Sequence, residues 1–165
     1  MTNANEVQQP STTYFHVAPI RLGIGTIIYP GNWGRIIKTC YPAPNNNHIL
    51  LPYRESIFEY ARLSLAPGKV SRLSCLFACM TLEEAGKYRA ANAHSNIIYE
   101  VAPAGEIASS HVADYNLIML PQSGQYFDVF HLARRYWTDT SPANQEILLP
   151  CPARIVALPE GPHTP

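Results

Sequence analysis

The chain has 165 residues, close to half of them apolar, with twelve basic side chains balanced by twelve acidic ones. That length supports one domain with a sizeable core. The charge balance excludes a global basic field for nucleic acid, leaving only a local patch for that role, and no apolar stretch is long enough to cross a bilayer.

Residues 1–13, MTNANEVQQPSTT, are polar and lack the basic and apolar regions of a secretory leader, so they read as a flexible tail. YFHVA, Tyr14 to Ala18, predicts a strand that opens a single domain running to residue 158. Pro30-Gly31-Asn32 predicts a turn between two short β runs, TIIY and GRII, and so an early hairpin. The glycines around it lack the G-x-G-x-x-G order of a dinucleotide fingerprint. YPAPNNNH, Tyr41 to His48, reads as a loop. RESIFEYARLSL, Arg54 to Leu65, sets Ile57, Phe58, Ala61 and Leu65 on one stripe and predicts a helix that APG ends.

The uncharged run Leu73 to Met80 suits a strand buried on both sides. It stops at Thr81, which forms a T-x-x-E capping box with Glu84. Leu82, Ala85 and Tyr88 then recur at helical spacing, predicting a helix to about Ala91. NIIYEV (Asn96 to Val101) and DYNLIML (Asp114 to Leu120) read as strands. Asp128 is placed to cap a helix with Val129, Leu132, Ala133 and Tyr136 inward. EILLPCPARIVAL, Glu146 to Leu158, reads as two β runs broken at Pro150 and Pro152, and residues 159–165 as a second tail. Short strands with three helices make an α+β fold rather than an alternating βαβ series. Cys40, Cys75, Cys79 and Cys151 lack the paired knuckles of a zinc site and read as free thiols in a reducing compartment, with no metal expected.

Three pieces stand in a telling order: an early strand with a histidine (YFHVA), a middle strand entering a helix with an aromatic (LFACMTLEEAGKY), and a late strand opening with a glutamate (EILLP). The chain resembles the ADP-ribosyltransferase superfamily in its His–Tyr–Glu branch, which includes the poly-ADP-ribose polymerases and small bacterial enzymes. The resemblance covers Tyr14 to Leu158. It implies a split, two-sheet fold with a central NAD cleft.

In that family the first-strand histidine holds the nicotinamide-side ribose of NAD, a place that His16 takes. The family's next residue is usually glycine, gripping the carboxamide through its backbone; here it is Val17. The aromatic before the helix falls on Leu76 or Phe77. Tyr88 matches the tyrosine that stacks on nicotinamide. Glu146 matches the catalytic glutamate. Cleaving the glycosidic bond of NAD generates an oxocarbenium-like ribose, and a fixed carboxylate stabilises that charge as it develops. Taken singly, Tyr88 also reads as a packing residue, His16 as a core histidine and Glu146 as a solvated strand end. Arg72 could hold the pyrophosphate with a guanidinium fork, with Arg21 and Arg35 as alternatives.

The family's acceptor-choosing position, two residues before the glutamate, is Asn144. Arginine-modifying members carry a second glutamate there, so the resemblance implies a mono-ADP-ribosyltransferase acting on a protein or nucleic-acid acceptor other than arginine. The expected setting is cytoplasmic, native or in a target cell, with no membrane partner. Two alternatives share the fold: an NAD glycohydrolase with water as acceptor, and a non-catalytic nucleotide- or protein-binding module.

Overall fold

Seven strands frame this protein, whose computed structural model describes residues 12–40, 50–119 and 124–159. The strands are β1 (Tyr14–Ala18), β2 (Ile27–Ile28), β3 (Leu76–Cys79), β4 (Ile97–Pro103), β5 (His111–Asp114), β6 (Gln145–Leu149) and β7 (Ala153–Ala157). All pair antiparallel, in the order β2-β7-β4-β1-β3-β6-β5. The fold is α+β, as the sequence predicts.

The sequence also predicts two sheets; the strands form one sheet of seven. Its joints are unequal. β1 pairs with β4 along its whole length, from Tyr14↔Val101 to Ala18↔Ile97, but meets β3 only at Phe15↔Cys79. Continuing that ladder would set Val17 opposite Phe77. Instead the His16 side chain crosses the joint, its Nδ1 lying 2.7 Å from the Phe77 carbonyl oxygen. The sheet is thus a four-stranded and a three-stranded half sewn together by one residue pair and one side chain.

Directly opposed residues share a face. One face carries Tyr14, Ala78, Tyr99, Val101, Ile147, Leu149 and Ile155 in a continuous apolar cluster. On the other, Leu148 and Ala113 pack against Phe58, Val129, Ala133, Tyr136 and Trp137, while Cys79 and Ile98 pack against Ala85. β6 is covered on both sides, which explains the apolar run Ile147 to Leu149 that follows Gln145 and Glu146.

Four α-helices lie among the described residues. α1 (Asn32–Lys38) is a correction: the residues GRII, predicted as the second arm of a hairpin, are helical. Gly31 adopts φ 88°, in the left-handed region, and its N–H bonds the Cys75 carbonyl at 2.9 Å. Gly34 then lets the helix approach so closely that a Cβ there would lie 1.9 Å from the Leu73 carbonyl oxygen. Docking on this loop overrides the β preference of Ile36 and Ile37.

α2 (Leu50–Leu65) begins a turn before the predicted start at Arg54, because Pro52 is tolerated in a first helical turn. Ile57 and Phe58 are buried as expected, whereas Leu65 is exposed. α3 (Leu82–Asn92) opens on Thr81, whose Oγ1 accepts from the Glu84 N–H at 3.1 Å. The Glu84 carboxylate turns to the Gln145 N–H and to Lys87, so this is half of the predicted box. α4 (Asp128–Thr138) packs on α2 and buries Val129, Ala133 and Tyr136; its N-cap is Phe127, not Asp128.

The strand predicted over 114–120 is also corrected. β5 ends at Asp114, and Tyr115–Ile118 form a 3-10 turn in which the Asp114 carboxylate accepts from the Asn116 N–H at 2.9 Å. Leu120 lies outside the described residues, as do the predicted loop at 41–48 and most of both predicted tails. No helix among the described residues is long and apolar enough to cross a membrane.

Gly34→Ala places a methyl group against backbone that cannot swing aside. Stability falls by about 1–3 kcal/mol or more, as overpacking does, read as a lowered urea midpoint. A Gly34→Ala protein as stable as the parent would show that α1 does not need this contact.

Candidate active site

A cavity of about 440 Å³ opens where β1 and β3 part, within the size range of small-molecule sites. The sheet contributes Phe15, His16, Val17, Phe77, Ala78, Cys79 and Glu146. Trp33 of α1, Leu51 and Arg54 of α2, Arg72 before β3, Tyr88 of α3, and Ile118 and Met119 of the 3-10 segment complete the wall. Six residues predicted from sequence, His16, Val17, Arg72, Phe77, Tyr88 and Glu146, therefore share one cavity, although 130 positions separate the first from the last. Leu76, the alternative to Phe77, points into the core on the opposite face. Arg21 and Arg35 are exposed and do not line the cavity.

Asn144 lies outside the cavity wall as well. Its Nδ2 donates to Asp114 Oδ1 at 3.3 Å, beside the start of β6. A second cavity, of about 600 Å³, takes in Lys69, His111, Trp137 and Gln145 and none of the predicted cavity residues.

The floor of the site is a buried chain of charges. Arg72 is 3% exposed, so its guanidinium must be satisfied inside the protein. Nε donates to Glu55 Oε2 at 3.0 Å and Nη2 to Glu55 Oε1 at 3.4 Å. Nη1 donates to Tyr136 Oη at 2.6 Å and to Glu146 Oε1 at 3.0 Å. The Tyr136 hydroxyl in turn donates to the same Glu146 oxygen at 2.7 Å. The rings of Phe77 and Tyr136 each stand 4.9 Å from the Arg72 Cζ, adding cation–π attraction. Arg54 joins the other end of the chain, its Nη2 donating to Glu55 Oε1 at 2.9 Å.

These surroundings set the ionisation of each group. Burial pushes the Glu146 carboxyl up, and Arg72 and Tyr136 offset this only in part, so its pKa lies above the ordinary glutamate value. Burial also acts on Glu55, but the fields and hydrogen bonds of Arg72 and Arg54 outweigh it and hold that carboxyl below the ordinary range. Burial lowers the His16 pKa, leaving the ring neutral near pH 7. A carbonyl oxygen can only accept, so the His16 proton sits on Nδ1 and Nε2 keeps its lone pair.

Tyr88 is half-buried, with its ring edge-on to Tyr115 at 5.2 Å. Burial raises its pKa, so it is a neutral aromatic surface. Cys79 is no nucleophile: burial, then the charges of Glu146 and Glu84, push its thiol up to about 12. All four cysteines are free, and no cluster of His, Cys, Asp and Glu suited to a metal occurs among the described residues.

Sequence reading missed Arg54, Glu55, Tyr136 in its polar role, and Trp33. One signal was available. Glu55 stands three positions before Phe58, on the inward stripe of α2, where an unpaired carboxylate does not survive.

The fold and site define a class: an α+β protein with a cavity at a sheet joint, floored by buried ion pairs and walled by aromatic rings. Residues 35–160 match the family described as "Protein of unknown function (DUF2441)", and the chain belongs to that family. The matched span includes Arg72, Phe77, Tyr88 and Glu146, and starts after His16. No curated protein matches the sequence.

Because the folded pKa of Glu55 is lowered, its stabilisation is present above the unfolded carboxylate pKa and drains away as pH falls through the folded value. Glu55→Gln breaks a buried pair and lowers stability near neutral pH by about 3–5 kcal/mol. It also flattens the loss of stability below the ordinary glutamate value of 4.5. Urea melts between pH 7 and pH 3 read both effects; an unchanged acid limb would move the acid sensitivity to another group.

Proposed function

We propose that the protein is an NAD-dependent mono-ADP-ribosyltransferase, cleaving the nicotinamide glycosidic bond and passing ADP-ribose to a macromolecular acceptor other than arginine. The observation that carries this reading is the convergence of His16, Tyr88 and Glu146 on one cavity. The near-division of the sheet at β1 and β3 also agrees with the split fold that the resemblance implies.

Each residue has a physical role in this reading. The unprotonated Nε2 of His16 accepts from a ribose hydroxyl. The missing ladder beyond Phe15 leaves one edge of β1 open beside Val17, which a backbone contact to the carboxamide requires. Tyr88 offers its ring to the nicotinamide, with Phe77 nearby. Glu146 receives both its hydrogen bonds on Oε1, so Oε2 is the oxygen that faces developing positive charge on the ribose. Arg72 and Tyr136 are positioning residues in this scheme: they fix that carboxylate before reaction starts. Arg72 gives four of its five N–H bonds to Glu55, Tyr136 and Glu146, so the pyrophosphate contact implied for it falls to another group. Asn144, held by Asp114, supplies no carboxylate to deprotonate a guanidinium acceptor.

Glu146→Gln keeps the shape and removes the charge. Nicotinamide release falls roughly a hundred- to a thousandfold, while NAD affinity changes much less, because His16 and Tyr88 supply ground-state contacts. Tyr136→Phe leaves the charge in place and loses one hydrogen bond, so its rate falls up to about tenfold. Circular dichroism confirms that both variants fold. A Glu146→Gln protein releasing nicotinamide at the parent rate would rule out this mechanism. Incubating the protein with labelled NAD and lysate, followed by separate protease and nuclease digestion, identifies the acceptor; label released only as free ADP-ribose would instead make the protein a glycohydrolase.

Only ionised Glu146 stabilises the oxocarbenium. With its pKa raised by burial, single-turnover rates fall with decreasing pH through a midpoint above 4.5. A midpoint at or below that value would remove Glu146 from the rate-determining ionisation.

A further inference from the structure

The charged groups on the cavity wall are not equivalent. The buried ions run in the order Arg54, Glu55, Arg72, Glu146, alternating in sign. Glu55 is sealed from solvent at 1% exposure, whereas Arg54, Arg72 and Glu146 line the cavity, and Arg72 spends four of its five N–H groups on Glu55, Tyr136 and Glu146. A ligand entering therefore meets Glu146 beside its partner Arg72, whose N–H groups are nearly all taken, and Arg54 on the far side of the sealed Glu55.

Arg54 also has donors without a partner among the described residues. Arg54 gives Nε and Nη2 bonds to Glu55 Oε1 and an Nη1 bond to the Ile118 carbonyl at 2.9 Å. A guanidinium has five N–H groups, so one remains on each of Nη1 and Nη2. Its side chain is 12% exposed, open enough for contact and buried enough to strengthen it. Trp33 lines the same cavity, on α1, which packs against α2. Its Nε1–H is buried and has no hydrogen-bond partner among the described residues. An indole N–H can only donate, and a buried donor without an acceptor destabilises the protein. The α1 and α2 side of the cavity thus offers three N–H donors that have no acceptor among the described residues.

We propose that Arg54 and Trp33 form a phosphoryl-binding end of the cavity, so that Arg54, not Arg72, anchors the diphosphate of a nucleotide whose cationic end lies toward Glu146. The inference rests on the NAD reading for the identity of that nucleotide. It extends that reading by fixing the ligand's direction: NAD carries its positive charge on the nicotinamide ring and its negative charges on the pyrophosphate. Arg72 supports the arrangement indirectly. By sharing Glu55 with Arg54, it keeps that carboxylate from claiming the whole Arg54 fork.

Calorimetric titration of the full chain with NAD, ADP-ribose, inorganic pyrophosphate and nicotinamide riboside tests the assignment, since the riboside lacks phosphate. Arg54→Gln should weaken NAD, ADP-ribose and pyrophosphate roughly ten- to a hundredfold, as expected for lost hydrogen bonds to a charged group, and leave the riboside unchanged. Trp33→Phe keeps the ring and removes the donor; it should weaken the same three ligands by up to about tenfold. Should Arg54→Gln fail to fold, Arg54→Lys decides, because it keeps the charge and loses the planar fork; it should also bind the phosphorylated ligands more weakly than the parent. Arg54 variants that bind NAD and pyrophosphate like the parent, or lose the riboside equally, overturn the proposal, as does a parent protein that binds no phosphorylated ligand. Arg54-dependent binding of pyrophosphate and ADP-ribose without binding of NAD would uphold the phosphoryl end and defeat the NAD reading alone.

Discussion

Arg72 is the residue around which this protein is arranged. A guanidinium taken out of water carries a desolvation penalty of several kcal/mol, which only near-ideal partners offset. Those partners come from three elements remote in sequence: Glu55 from α2, Tyr136 from α4 and Glu146 from β6. The aromatic rings of Phe58, Phe77 and Tyr136 surround its planar group. Displacing any one of these elements would strand a buried charge. The positions of α2 and α4 against β6 are therefore specified by polar geometry as well as by apolar packing.

The loop that carries Arg72 is gripped from outside too. The Ser71 hydroxyl donates to Glu59 Oε2 at 2.6 Å, which ties the loop to α2 a helical turn beyond Glu55. Gly31 and Gly34 bring α1 onto the same loop through Cys75 and Leu73. Residues 71–75 thus sit between two helices, held through the Ser71 and Arg72 side chains and the backbone at Leu73 and Cys75 before the strand begins. This accounts for the abrupt passage from loop to strand to helix at residues 71–88. The order of the site is built upstream of the residues proposed to do its chemistry.

Much of the framework was legible because local signals carried it. Thr81 and Glu84 marked the start of α3, the two prolines separated β6 from β7, and the spacing of Val129, Ala133 and Tyr136 marked the inner face of α4. The α1 helix was not legible, since its cause is a close approach to Leu73 that no local pattern records. The unity of the sheet was hidden for a similar reason: it rests on one residue pair between β1 and β3. The meeting of His16, Tyr88 and Glu146 followed from the order of three short motifs and a family resemblance, not from their spacing. Arg54 was hidden in an amphipathic helix because a charge there ordinarily faces water, whereas Glu55 left a trace only in its place on the inward stripe.

The narrow joint in the sheet bears on how the molecule deforms. Backbone hydrogen bonds make each half-sheet stiff, whereas across the joint the ladder holds at one residue pair, with the His16 side chain and apolar packing carrying the rest. Strain imposed on the fold will concentrate there rather than spread evenly through seven strands. His16 and Val17 belong to one half, and Phe77, Cys79 and Glu146 to the other. The line along which the sheet's backbone ladder is weakest therefore runs beside the cavity, and the spacing of β1 and β3 sets the cavity's width.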